Sequence, residues 1–144
     1  MPTIKQVQIT FDCASPERVA RFWCEVLGYD PVSPPEGFDS WDAYNLTLPA
    51  DERDAWFACG DPTGAGPRLY FQRVPEGKVA KNRVHIDVRA GAGLVGEERL
   101  AVLRAESARL VALGAVEDLV LLADGVNESC INMRDVEGNE FCLD

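Results

Sequence analysis

The chain carries a single histidine, His85. It sits in the run Asn82-Arg83-Val84-His85-Ile86-Asp87-Val88-Arg89, which alternates as a strand does. An imidazole titrates near neutral pH and serves either as a general base or as a hydrogen-bond donor. A lone histidine on a strand is also met as an ordinary polar residue, satisfied by a neighbour such as Asp87, Thr10 or Gln8. Asp12 and Asp87 fall on the same face in this alternation, where paired carboxylates could do acid-base work. Asp12, however, lies at a strand end beside Ser15, and a structural role, capping a helix or binding Arg18, is the expected one. Cys142 stands near the end of the chain with no basic residue beside it in sequence to lower its pKa, so its thiol is expected to be unreactive.

Composition narrows the partners. At 144 residues, with 47% hydrophobic and 26% charged residues, the chain is long enough for one domain with a proper core. The net charge of -10 repels nucleic acid and anionic membrane, so neither is expected as a partner. Lys78, Lys81 and Arg83 form a short cluster rather than a basic footprint. No apolar run approaches the ~20 residues of a membrane span, and the opening Met-Pro-Thr-Ile-Lys lacks the apolar stretch of a signal peptide. A cytoplasmic location is expected. Cysteine usage agrees: Cys13, Cys24, Cys59, Cys130 and Cys142 make an odd count with no C-x-x-C pair, which reads as reduced, mostly buried thiols.

Two copies of one unit position these residues. In the first, Val7, Ile9, Phe11 and Cys13 alternate with Gln8, Thr10 and Asp12, predicting a half-buried strand. Ser15-Pro16-Glu17-Arg18 opens a helix, Val19, Phe22, Trp23, Val26 and Leu27 give its apolar stripe, and Gly28 closes it. The prolines of residues 29–36 suggest a broken edge segment. Residues 41–48 are expected to form a strand, followed by strands at 55–59 and 68–74 on either side of the loop 61–67. The second copy begins with the strand at 83–89. A helix from about 97 to 113 follows, with Leu100, Leu103, Ser107, Leu110 and Val111 as its stripe. Strands at 116–123, 128–134 and 140–143 complete it, the last two joined by a tight turn at Gly138. The expectation is an α+β fold of two βαβββ modules, about 1–76 and 77–144, in one domain spanning 1–144.

The stretches Phe11–Arg18, Arg21-Phe22-Trp23 with Val26-Leu27-Gly28, Leu69–Pro75, Lys81–Asp87 and Arg134–Phe141 together resemble the vicinal oxygen chelate superfamily, in particular its glyoxalase-like domain proteins. The resemblance spans nearly the whole chain. It implies two βαβββ modules whose eight-stranded mixed sheet curls into a cup, with helices outside and ligand inside (the glyoxalase/bleomycin resistance fold). The superfamily includes lyases, epimerases, extradiol dioxygenases, fosfomycin-modifying transferases and bleomycin-sequestering proteins, so the fold leaves the function open.

Metal-dependent members place His or Glu on the first, fourth, fifth and eighth strands. By position, the resemblance carries the fifth-strand ligand to His85, the first to Gln8 and the eighth to Cys142. Glu140 lies one pair higher on the same face, and the fourth-strand position falls near Tyr70 to Gln72, where there is no acid or histidine. An amide is a poor ligand, so an ion would rest on His85, helped by Glu140, with a Cys142 thiolate and Gln8 completing a conceivable soft site. The expected cofactor is therefore none, with a divalent metal as the lesser alternative. The leading expectation is a protein that binds a small organic ligand through Gln8, Thr10, Trp41, Tyr70, His85 and Cys142, with His85 as the catalytic residue if turnover occurs. The alternatives are a metal-dependent lyase, isomerase or dioxygenase using His85, and a drug-sequestering resistance protein. A homodimer is expected, because sheet edges need cover.

Overall fold

Parallel pairing between the first and last strands of each half organises the chain. The computed structural model describes residues 2–144 and divides into two compact units, Met1–Gly77 and Lys78–Asp144. In the first unit the strands are β1 (Ile9–Cys13), β2 (Asp30–Pro31), β3 (Trp56–Gly60) and β4 (Leu69–Arg73). They lie in the order β1-β4-β3-β2, with β1 parallel to β4 and the other pairs antiparallel. In the second unit β5 (Ile86–Val88), β6 (Val116–Leu121), β7 (Cys130–Arg134) and β8 (Glu140–Leu143) repeat the same order, β5-β8-β7-β6, again with only the first pair parallel. A parallel neighbour requires a crossover. Helix α1 (Pro16–Leu27) begins that route in the first unit, and α3 (Gly96–Ala112) begins it in the second. The fold is α+β, with two four-stranded mixed sheets.

Each helix covers one face of its own sheet. Helix α1 starts at Pro16, with Ser15 at the N-cap position but no side-chain cap bond onto the helix, and ends at Gly28, whose φ of 69° is left-handed. Its Val19, Ala20, Phe22, Trp23 and Val26 are buried. Phe11 contacts Trp23 at 5.2 Å and Phe71 at 4.9 Å between ring centroids, and Phe71 opposes Phe57 across β3. Because side chains alternate along a strand, Thr10 and Asp12 of β1, Tyr70 and Gln72 of β4, and Trp56 of β3 stand on the opposite face. In the second unit Leu103 and Leu110 of α3 are fully buried, as are Ile131, Met133, Phe141 and Leu143 of the sheet.

Four expectations about local structure need correction. Residues 41–48 are not a strand. Trp41–Asn45 is helix α2, because the Ser40 hydroxyl caps it by accepting from the Ala43 N–H at 3.0 Å. The strand expected at residues 5–13 begins only at Ile9, whose N–H donates to the Arg68 carbonyl, and residues 2–8 are exposed without regular structure. The strand expected at 83–89 is cut to Ile86–Val88, so His85 stands just before it rather than on it; further back the Asn82 N–H donates to the Glu140 side chain at 3.0 Å. On α3 the stripe runs through Arg99, Leu103, Ser107 and Leu110, whereas Val111 is 46% exposed.

Arg99 has no counterpart in the sequence-based core. Its guanidinium is buried and donates to the Ser129 carbonyl at 3.0 Å, the Gly91 carbonyl at 3.1 Å and the Asp144 carboxylate at 2.6 Å. One side chain thereby ties helix α3 to the turn after β5 and to the residue after β8. A buried cation is tolerated only when its donors are satisfied in this way.

Two outcomes follow from this packing. Phe71→Ala removes a ring with no exposed surface that stacks on Phe11, and should lower unfolding free energy in urea by about 3–5 kcal/mol. Glu140 accepts from the Asn82 N–H and pairs with Lys78 at 2.9 Å, contacts that pull its carboxyl down from 4.5 to about 2. A depressed folded-state pKa stabilises above the unfolded value and is lost as pH falls through the folded one. The wild type should therefore lose stability between pH 4.5 and about 2, and Glu140→Gln should flatten that part of the profile in acid titrations of chemical denaturation.

Candidate functional site

The uncovered face of the second sheet gathers the reactive groups. Strand pairing sets Asp87 opposite Cys142, Cys142 opposite Asn132, and Asn132 opposite Leu119, one row crossing β5, β8, β7 and β6. His85 stands two residues before Asp87, and its Nε2 lies 3.3 Å from the Asp87 carboxylate. Ligand atoms of His85, Asp87 and Cys142 all lie within 4.8 Å of one another. Side chains of His85 and Asp87 are 44% and 51% exposed, so solvent and solutes reach both. Cys142 is half-buried and donates its thiol hydrogen to the Asn132 Oδ1 at 3.2 Å. Burial, with Asp87 beside it, raises its pKa to about 11. The thiol is therefore protonated at neutral pH.

Glu140 does not join this group. Its carboxylate is committed to Lys78 and to the Asn82 N–H, and the three-donor cluster contains Asp87 and Cys142 instead. Asn132 was not singled out from the sequence. Its alternation with Ile131 and Met133 marks it as facing away from the core, but only the β7–β8 register brings it to Cys142.

In the first unit the uncovered face carries a ladder of side-chain pairs. Gln8 accepts from the Arg68 guanidinium at 2.8 Å, and Gln72 donates to Asp12 at 2.7 Å. Between them Thr10 lies opposite Tyr70. The Tyr70 ring stacks on Trp56 at 5.7 Å and 15°, and the Arg68 guanidinium lies 5.6 Å from the Tyr70 centroid. Tyr70 is half-buried and Thr10 exposed. Trp41, expected to line a ligand site, is a packing residue. It sits on α2, is 9% exposed, donates its indole N–H to the Val32 carbonyl at 3.0 Å, and abuts Trp56 and Phe57. Its place on a helix, not a strand, turned it inward. Arg68 was missed because nothing in the sequence ties it to Gln8, 60 residues away.

All five cysteines are free thiols, with Cys13, Cys24 and Cys59 buried and Cys130 and Cys142 half-buried. Among the described residues no helix is long and apolar enough to cross a membrane.

With this geometry in hand, comparison with known proteins is specific for fold. Solved structures align over nearly the whole chain. The fosfomycin resistance protein FosX from Mesorhizobium loti matches with a TM-score of 0.61 at 13% identity, covering 99% of this chain and 92% of its own. A mutant FosX from Listeria monocytogenes, complexed with Mn(II) and a dihydroxypropylphosphonic acid, matches with a TM-score of 0.60 at 11% identity over 98% and 90%. A glyoxalase/bleomycin resistance protein/dioxygenase family enzyme from Burkholderia phytofirmans PsJN gives 0.60 at 10% identity over 94% of each chain. At such identities the likeness establishes the fold alone. No curated protein matches by sequence. The family model described as a glyoxalase-like domain matches residues 8–143, and the chain belongs to that family, within the vicinal oxygen chelate superfamily.

Proposed function

We propose that this protein binds a small organic ligand against the uncovered face of the second sheet, with His85 as its principal polar contact and as general base if turnover occurs. The observation that carries the reading is the row of an exposed Asp87 with half-buried Cys142 and Asn132, and the exposed His85 beside Asp87. Each sheet spends one face on its helix, leaving this polar face without a core role. Thr10 and Tyr70, beside Gln8 and Arg68, offer a similar polar and aromatic surface in the first unit. Aromatic and hydrogen-bonding groups together suit a partly flat, partly polar molecule. The protein is read as one glyoxalase-like domain, residues 1–144, and as cytoplasmic, a location with which five free thiols agree.

The metal-dependent lyase, isomerase or dioxygenase is the second reading, favoured by the proximity of His85, Asp87 and Cys142. A relative of the same fold is complexed with Mn(II). Mn(II) is a hard ion that prefers carboxylate, carbonyl and water oxygens. Here one carboxylate, one imidazole and a protonated thiol are on offer. Glu140 is engaged elsewhere, and the Gln8 amide oxygen accepts from Arg68. This donor set does not fit an ion of that kind.

A homodimer is proposed from β6. It is an edge strand of its sheet, and Val116, Leu119 and Leu121 on it, with Leu122 beyond, are between 43% and 63% exposed. Such an edge favours a partner. Light scattering should give twice the 15.8 kDa chain mass, and Leu119→Lys should return the monomer. A wild type that is monomeric throughout refutes this.

The ligand reading is tested by thermal denaturation against a panel of small organic compounds that includes fosfomycin and bleomycin, the drugs in the relatives' names. A true ligand at about 100 times its Kd should raise Tm by roughly 5–10 °C. His85→Ala should weaken its binding about tenfold or more, the scale of a lost hydrogen bond. A ligand whose shift is untouched by His85→Ala would refute the site. Tight binding of bleomycin without turnover would instead favour the drug-sequestering reading.

A further inference from the structure

We propose that Cys24 and Cys59 form a dithiol modification site, which a hydroperoxide oxidises to an intramolecular disulfide fastening helix α1 to strand β3. Cys24 lies in the last turn of α1, and Cys59 lies in β3 opposite Pro31 of β2. Their thiols share a hydrogen bond. The long separation in sequence conceals the pair, since no C-x-x-C spacing announces it. Both residues belong to the first unit, and the proposal does not depend on the ligand-binding reading above.

Two cysteines whose side chains point apart cannot be bridged without moving backbone. Here alternation turns Cys59, like Phe57, to the helix side of β3, and the shared hydrogen bond shows the two sulfurs facing each other. The pair is also asymmetric. Cys24 keeps 8% of its surface exposed against 1% for Cys59, so an oxidant meets Cys24 first. The Cys59 thiol donates to the Cys24 sulfur, and that bond lowers the Cys24 pKa. Burial opposes the shift, and the Arg21 guanidinium, one helical turn back, adds to it against the Asp30 and Glu25 carboxylates. The same bond, with burial, raises the pKa of Cys59. Cys24 is therefore the nucleophile and Cys59 the partner that resolves it, the arrangement of oxidant-responsive cysteines. Cys13 donates instead to the Gln72 carbonyl at 3.5 Å, and Cys142 to the Asn132 Oδ1.

The chemistry takes two steps. The Cys24 thiolate attacks one peroxide oxygen and the O–O bond breaks. The leaving hydroxide takes up the proton lost from Cys24 and departs as water, leaving a sulfenic acid on Cys24. The Cys59 sulfur then attacks the Cys24 sulfur and the S–O bond breaks. The hydroxyl leaves with the Cys59 proton as a second water. Two thiols lose two electrons and one peroxide becomes two waters. A small-molecule dithiol returns the electrons and restores the pair. In the oxidised chain the bond closes the loop 24–59, which carries β2 and helix α2 with its packed Trp41. Closing a loop restricts the unfolded chain, so the bond stabilises the first unit.

The test treats the reduced full chain with hydrogen peroxide at neutral pH, then alkylates it, digests it with trypsin without reductant and maps the peptides by mass spectrometry. Cleavage after Arg21, Arg53 and Arg68 leaves Cys24 alone in peptide 22–53 and Cys59 alone in peptide 54–68. The expected result is these two peptides joined, two hydrogens lighter than their sum, as the dominant cross-link, and separated again by dithiothreitol. The oxidised chain should unfold roughly 5–15 °C above the reduced one. Cys59→Ser should halt the reaction at a Cys24 sulfenic acid that dimedone traps, and Cys24→Ser should leave Cys59 unmodified. Should either variant not fold, the wild-type map decides without it. The proposal is overturned if peptides 22–53 and 54–68 stay unlinked, if another cysteine pair takes the dominant cross-link, if dimedone marks Cys59 rather than Cys24, or if oxidation fails to raise the unfolding midpoint.

Discussion

In both halves of the chain, the last strand returns to lie parallel to the first, and the register of that pairing determines which residues meet. In the first half it places Phe11 against Phe71 on the helix side and Thr10 against Tyr70 on the other. In the second it places Asp87 against Cys142. A slip by one residue would exchange the two faces of a strand, burying Asp87 and exposing Ile86 and Val88. The fully buried Phe141 and Leu143 next to Asp87's partner make such a slip costly. The reactive row is thus held in place by apolar residues that take no part in it.

Electrostatics divides the polar residues into those already committed and those still open to a solute. Arg99 is spent on two carbonyls and Asp144. Arg134 is spent on the Asp118 carboxylate at 2.9 Å, across the β6 bulge. Glu140 is spent on Lys78 and Asn82. Asp135 organises the tight turn by accepting from the N–H groups of Glu137 and Asn139. What remains on the uncovered face of the second sheet is His85, Asp87 and Cys142, bonded mainly to one another or to Asn132. That residue set is softer and less acidic than a hard-metal centre requires, and it is open to solvent, as a binding surface must be.

The elements most legible in the sequence were those with strong local signals. Helix α1 was readable because Pro16 starts it, an apolar stripe buries it and Gly28 stops it in a left-handed turn. The strands ending at Arg73, Arg134 and Leu143 were readable from alternation. Residues 41–48 were not, because a single serine hydroxyl at Ser40 outweighed a weak alternation. The strand expected at 83–89 is shorter than its pattern and begins only at Ile86, leaving His85 just ahead of it. Trp41 packs inward because it lies on helix α2 rather than on a strand.

By itself, the sequence determined the duplicated α+β plan, the lone imidazole and the acidic charge, since these follow from local periodicity and from counting. It also marked His85 and Cys142 as candidates. Only the tertiary structure decided that Asp87, not Glu140, is the acid beside them, that Asn132 takes the thiol hydrogen, and that Arg68 reaches Gln8. Apart from His85 and Asp87, two positions apart, those are contacts between residues ten to sixty positions apart. They depend on strand register, which is set by the summed burial of apolar neighbours rather than by anything written locally at the site.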